Sequence, residues 1–246
     1  MRLAPGLVFG TLLTSLPVAA EEVAVDAGVW PYTAVGKLNV VLGANRRAFC
    51  SATLIAPRLV LSAAHCLWDA PRARWVGPQS VHFVAGWRQG TYKGHAVALT
   101  YRTGPGYAFG TTQADLARDW ALIVLSEPMD IRPVSLAPAN TDDAPGNGRQ
   151  EVRRAGYSHA RAERMSAQGH CAVENQPEPP LLLHDCRAIP GESGSALLQM
   201  GEGGPTVIGV LVARRPEGTG GRSLAVPVRS FREEADRMRA ELPPVR

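Results

Sequence analysis

The sequence predicts an all-β protein made of two β units and closed by one C-terminal α-helix, and three observations predict it. Its apolar residues fall in short Val-, Leu- and Ile-rich runs rather than at helical spacing. The 246-residue chain carries 25 glycines and 20 prolines, so turns are frequent. A stretch rich in Pro, Asn and Asp at 137–148 divides it near the middle. Regularly spaced short runs of this kind argue for antiparallel barrels or sandwiches and against alternating strand and helix units.

Taken in order, the first twenty residues read as a signal peptide. Arg2 precedes an apolar stretch at 7–16, and Val18-Ala19-Ala20 supplies a small-residue cleavage site before Glu21-Glu22. The apolar stretch is short of the ~20 residues that span a bilayer, so an exported product, secreted or periplasmic and without membrane attachment after the cut, is expected. Residues 21–29 form a candidate short propeptide, and 30–246 one domain. Its first β unit, over about 30–127, takes strands at 34–42, 52–56, 59–62, 81–85, 96–101 and 120–125. The second unit, with the helix, covers about 137–246 and takes strands at 151–155, 181–184, 195–199, 206–212 and 223–228. The helix follows from Phe231, Ala235, Met238 and Leu242 at helical spacing behind a Ser230–Glu233 capping box.

Composition excludes some functions. The net charge of +4 comes from arginines scattered along the chain, whereas nucleic-acid binding wants a clustered basic face interleaved with aromatics. Four cysteines, Cys50, Cys66, Cys171 and Cys186, are an even count in an exported chain, where disulfides are the default. Three pairings are open. Pairing in sequence order closes two loops of about fifteen residues, worth roughly 3 kcal/mol apiece in the chain-entropy picture. Zinc would want closer cysteine spacing.

The strongest chemical signal is Pro190-Gly191-Glu192-Ser193-Gly194-Ser195-Ala196-Leu197, a serine enclosed by glycines just ahead of an apolar strand. Such a loop can aim the N–H groups of Gly191 and Ser193 at one oxyanion. It does not match the Gly-x-Ser-x-Gly elbow of α/β-hydrolases, because Ser195 stands at the fifth position. A serine hydroxyl needs a base, and His65, after the run at 59–62 and beside Cys66, has the most defined setting of the six histidines. His82, His95, His159 and His170 lie in mixed polar surroundings and His184 flanks Cys186, so surface or structural roles suit them better. A shielded carboxylate must hold the imidazole. Asp119, at the mouth of the apolar run 120–125, suits this better than Asp115 or Asp185.

Ser-Ala-Ala-His-Cys at 62–66, Asp-Trp-Ala-Leu at 119–122 and Gly-Glu-Ser-Gly-Ser at 191–195, in that order, resemble the trypsin-like (chymotrypsin-fold) serine peptidases. The resemblance extends from about Trp30 to the C-terminal helix. It implies two perpendicular six-stranded antiparallel β-barrels, with a triad of His65, Asp119 and Ser193 in the cleft between them. It implies as well that Gly191 and Ser193 form the oxyanion hole, that Cys50–Cys66 braces the histidine loop, and that Gly209-Val210-Leu211-Val212 lies along the substrate backbone. Ser-Gly-Ser, the Trp30-Pro31-Tyr32 lead-in and Cys171–Cys186 resemble bacterial secreted members related to glutamyl endopeptidases.

Two departures matter. Animal-type members pair a new Ile-Val-Gly-Gly amino terminus with an aspartate before the nucleophile, whereas this chain has Glu192 there and no such tetrapeptide. Counting from Ser193 puts Arg187 near the base of the primary pocket and Arg214 on its wall strand. These two are candidates for meeting an acidic substrate side chain, with a solvent-facing role as the alternative. The histidine expected near Leu211 in glutamate-selective members is absent. The expected activity is endopeptidase action on protein or peptide substrates by a monomer, with no cofactor, metal or nucleic acid. The rival is a secreted binding protein on the same scaffold that no longer turns over.

Overall fold

Leu59–Ser62 and Ala121–Leu125 are buried along their whole length, and each needs neighbours on both faces. The computed structural model, which describes residues 22–43, 45–110, 112–138, 152–176, 178–215 and 222–243, supplies them. The expected signal peptide and most of the stretch at 137–148 lie outside the described residues. The first half comprises β1 (Glu22–Ala24), β2 (Val35–Gly43), β3 (Arg46–Ala56), β4 (Leu59–Ser62), β5 (Trp68–Asp69), β6 (Arg74–Trp75), β7 (Val81–Ala85), β8 (Gly94–Thr103), the short helix α1 (Gln113–Leu116) and β9 (Ala121–Leu125). The second comprises β10 (Ser135–Leu136), β11 (Val152–Gly156), β12 (Ser166–Gln168), β13 (Val173–Gln176), β14 (Leu181–His184), β15 (Ala196–Gln199), β16 (Thr206–Arg214), β17 (Ser223–Pro227) and helix α2 (Arg232–Glu241).

Strands β2, β3, β4, β9, β8 and β7 close into a six-stranded antiparallel barrel. Alternation puts Leu38, Val40 and Phe83 into its core and their neighbours outside. The second unit is a half-barrel: its sheet runs β1-β12-β11-β15-β16-β17-β14-β13, with β10 added in parallel to β16. The expected second closed barrel is therefore open among the described residues. One edge of β12 carries β11 and the other is taken by β1, so the sheet ends at β1 and β13, which are not paired with each other among the described residues. The Cys171–Cys186 disulfide and Asp185 N–H donating to the Ala172 carbonyl extend the β13–β14 pair, while Cys171 N–H donating to the Val152 carbonyl and Arg187 N–H donating to Gln168 Oε1 tie its end to β11 and β12. The pairing is in sequence order, Cys50–Cys66 and Cys171–Cys186.

Helix α2 buries Ala235 and Met238, and Phe231 just before it meets Trp120 of the first half. The predicted capping box does not form. Residues 228–230 make a 3-10 turn, Phe231 takes the cap position without a side-chain cap, and Ser230 Oγ has no hydrogen-bond partner among the described residues. No helix among the described residues is long and apolar enough to cross a membrane. Residues 22–29 of the candidate propeptide contribute strand β1 and buried Ala27 to the body.

Candidate active site

Antiparallel register brings His65 and Asp119 together. Ser62 at the end of β4 stands opposite Ala121 at the start of β9, so the residues running out of one strand face those running into the other. His65 sits on the 3-10 turn Ala64–Leu67. Asp119 follows α1, whose Thr112–Asp115 capping box fixes its start, and Asp119 N–H donates to the Leu116 carbonyl. Asp119 is 1% exposed and both its oxygens face the histidine. Oδ1 accepts the His65 backbone N–H at 2.8 Å, and Oδ2 lies 2.6 Å from Nδ1. A carboxylate oxygen at that distance accepts from an Nδ1–H, and in that tautomer Nε2 is the acceptor nitrogen. Tyr107, buried beside Asp119, has its hydroxyl held above the usual phenol range by burial and by the Asp119 carboxylate. Cys50 and Cys66 sulfurs also lie close to the His65 ring, but they are bonded to each other and offer no thiolate to a metal.

The Ser193 loop is pressed against β3 and the end of β4. Ser51 N–H donates to the Ser193 carbonyl at 2.8 Å, and Ser51 Oγ reaches the Gly191 carbonyl while accepting from Tyr157 N–H. Ser62 Oγ donates to the Ser51 carbonyl at 2.8 Å. Gly194 has φ +81°, and a Cβ there would stand 2.2 Å from both the Ser51 carbonyl oxygen and Ser62 Oγ. Only glycine permits that backbone and that approach, and the approach brings the residue after Ser193 to the strand that leads to His65. Among the described residues, neither the Gly191 nor the Ser193 N–H meets an acceptor, while the intervening Glu192 N–H donates to Ile189. Two free backbone donors beside a half-buried serine are suited to receive an anion.

Glu192 is fully buried and pairs with Arg154 of β11, which is equally buried, at 2.8 Å. The contact is one of charge rather than an aligned hydrogen bond. Glu192 Oε2 accepts the Ile189 N–H, and Arg154 Nη2 donates to the Arg187 carbonyl. The cation that faces Glu192 therefore comes from the chain's own β11. Burial pushes the Glu192 carboxyl up, against the pull of Arg154 and of the Ile189 N–H. Arg187 and Arg214, the two candidate specificity residues, both have exposed side chains, and Leu211 is buried with its backbone paired to Gly194 and Ser195.

His184 of β14 is completely buried, and neither ring nitrogen has a hydrogen-bond partner among the described residues. Burial, helped by the charge of Arg154, pushes it down to about 3. The native imidazole is neutral at every pH above that, while the unfolded one takes a proton near 6.5. Stability contributed by this group is therefore complete above pH ~6.5 and lost as pH falls toward 3. Urea denaturation should show a loss of about 3 kcal/mol from this group between pH 7 and pH 4. His184→Leu should flatten that part of the slope, and an unchanged slope would count against the assignment.

Reading from sequence alone misses four residues here. Arg154, beside Arg153 in the expected strand at 151–155, carried a signal only in being an arginine inside a strand. Ser51 and Ser62 carried none beyond adjacency to Cys50 and to the run containing His65, and Tyr107 carried none.

A family model described as "Trypsin-like peptidase domain" matches residues 50–210. Among solved structures, the chain is similar to a Glu endopeptidase in complex with MPD, at 18% identity and TM-score 0.70 over 92% of this chain and 100% of that one. It is similar as well to the Vibrio cholerae VesB protease, at 17% identity and TM-score 0.67 over 89% of this chain and 67% of that one. A third is the protease Anisep from Arthrobacter nicotinovorans, at 15% identity and TM-score 0.62 over 84% and 93%. Comparison with curated proteins gives no match. At these identities the solved structures bear on the fold, and the family model, which spans more than half of the sequence, decides membership: the chain belongs to the trypsin-like peptidase family.

Proposed function

We propose that the chain is an exported serine endopeptidase in which Ser193, His65 and Asp119 carry out acyl transfer. Ser193 Oγ attacks the scissile carbonyl, and His65 Nε2 takes its proton and returns it to the leaving amine. Asp119 holds the imidazole and its positive charge, and the Gly191 and Ser193 N–H groups receive the oxyanion. Water then enters along the same path to release the acyl group. The observation that carries the reading is the double contact of buried Asp119 with the backbone and ring of His65. The clamp of Ser51 on Ser193 supports it. Two disulfides support an extracellular or periplasmic site of action.

A fluorophosphonate probe is expected to label the processed protein at Ser193 and to leave Ser193→Ala unlabelled. A native protein that takes no label would favour the rival, a binding protein on a peptidase scaffold.

A further inference from the structure

On the outer wall of the barrel, β3, β2, β7 and β8 lie side by side. Ser51, Lys37, Val84 and His95 form one row of directly paired residues across them. Phe49, Asn39 and His82 form the next row, and Arg47 lies two residues further along β3. Paired residues project from the same face, and Lys37, Asn39, Arg47, His82, Val84 and His95 of these, with Trp87, line a pocket of about 410 Å³. Its ionisable lining residues are Lys37, Arg47, His82 and His95, with no carboxylate among them.

Lys37 is 8% exposed. Its ammonium sits 4.3 Å from the centroid of Phe49 and 5.4 Å from that of Trp87, donates to the Ala162 carbonyl and feels the charge of Glu163. Among the described residues no carboxylate forms an ion pair with Arg47, His82 or His95. His82 Nδ1 lies 3.1 Å from His95 Nε2 with the rings near parallel, and Tyr92 meets His95 edge-on. That contact holds one proton between two imidazoles. A second proton makes both nitrogens donors, which separates them unless an anion accepts from both. The Arg47 charge, after burial and with His95, already disfavours a proton on His82. A cation in this pocket would meet the same field.

Strand β3, one wall of the pocket, also reaches the Ser193 loop. Ser51, which ends the first row, bonds Ser193, and Phe49 packs edge-on against His159, whose N–H donates to the Pro190 carbonyl beside the Ser193 loop. Strands stand ~4.8 Å apart, so β7 and β8 lie roughly 10–15 Å from Ser51, a distance an extended chain covers in about three or four residues. Between Ser51 and Phe49 on β3 stands Cys50, whose bridge to Cys66 lies against the His65 ring, so on the peptidase reading this is the side on which the leaving amine collects its proton.

We propose that this pocket binds an acidic side chain of the polypeptide substrate three or four residues after the scissile bond. The proposal rests on the peptidase reading. Its test uses two peptides identical through the cut and differing only in Glu or Gln at the third and fourth residues after it. A short substrate ending at the cut in a chromogenic amide cannot reach the pocket, and it normalises each preparation.

The Glu peptide is expected to exceed the Gln peptide about tenfold in kcat/KM, mainly through KM. The ratio should fall toward one in 0.5 M salt, through screening, and in the triple variant Arg47→Gln, His82→Gln, His95→Gln. A native ratio near one, or a ratio that survives both salt and the triple variant, overturns the proposal. If that variant does not fold, the salt dependence of the native ratio decides. If the native protein does not cleave the short substrate, the peptidase reading fails and the pocket's assignment falls with it.

Discussion

Replacing Asp119 with asparagine is expected to lower kcat by about four orders of magnitude while moving KM far less. The new side chain can still accept from the His65 backbone through its oxygen, which then leaves its NH₂ facing Nδ1, where the carboxylate Oδ2 now lies 2.6 Å away. An NH₂ there demands an acceptor, so the imidazole moves its proton to Nε2 and presents a donor to Ser193 where a base is required. The loss is one of tautomer rather than of fold. The urea midpoint should therefore shift little, and the fluorophosphonate labelling rate should fall in step with kcat. An Asp119→Asn variant that keeps kcat within tenfold of the parent would remove Asp119 from the proposed mechanism.

The second large effect is expected at Arg154. Arg154→Met strands the buried Glu192 carboxylate, and breaking a buried pair by removing one partner costs ~3–5 kcal/mol. The carboxylate can recover only by taking a proton or by moving toward water. Movement carries the loop with it, because Glu192 also binds the Ile189 N–H and lies between the two free donors of Gly191 and Ser193. Urea denaturation should show the stability loss, and kcat should drop by about 10²–10³, the size expected for a misplaced oxyanion donor. Adding Glu192→Gln should restore most of both, since glutamine retains an oxygen for Ile189 and leaves no charge unpaired. A single variant that loses less than ~1 kcal/mol, or a double variant no better than the single, would show that the pair does not support the loop. The cation belongs to the chain's own β11, so the pair requires no freed amino terminus.

Several strands were legible as written. The runs at 59–62, 81–85 and 181–184 match β4, β7 and β14, because a fully or half-buried strand must be apolar along its length or on alternate residues. β1, β12 and β13 were not legible. Ser166–Gln168 and Val173–Gln176 have no apolar period of their own, and their extended state comes from the ladders they join. The capping box at Ser230 failed for the opposite reason: the pattern is present, but the turn at 228–230 removes Ser230 from the cap position. In the site, the Gly-Glu-Ser-Gly-Ser and Ala-Ala-His-Cys segments announce themselves because loop geometry of that kind needs those residues locally. Asp119 was weaker, since its tie to His65 runs through β4–β9 register.

By itself the sequence determined the all-β class, the division into two units, and the local segments that bear His65, Asp119 and Ser193. Only the tertiary structure decided the half-open second sheet, the Ser51 and Ser62 clamp, the Arg154–Glu192 pair and the basic pocket at His82 and His95. Local segments are dictated by backbone sterics and apolar period, which act over a few residues. The others depend on which residue stands opposite which on strands distant in the chain, and a slip of one position would turn every such side chain to the other face.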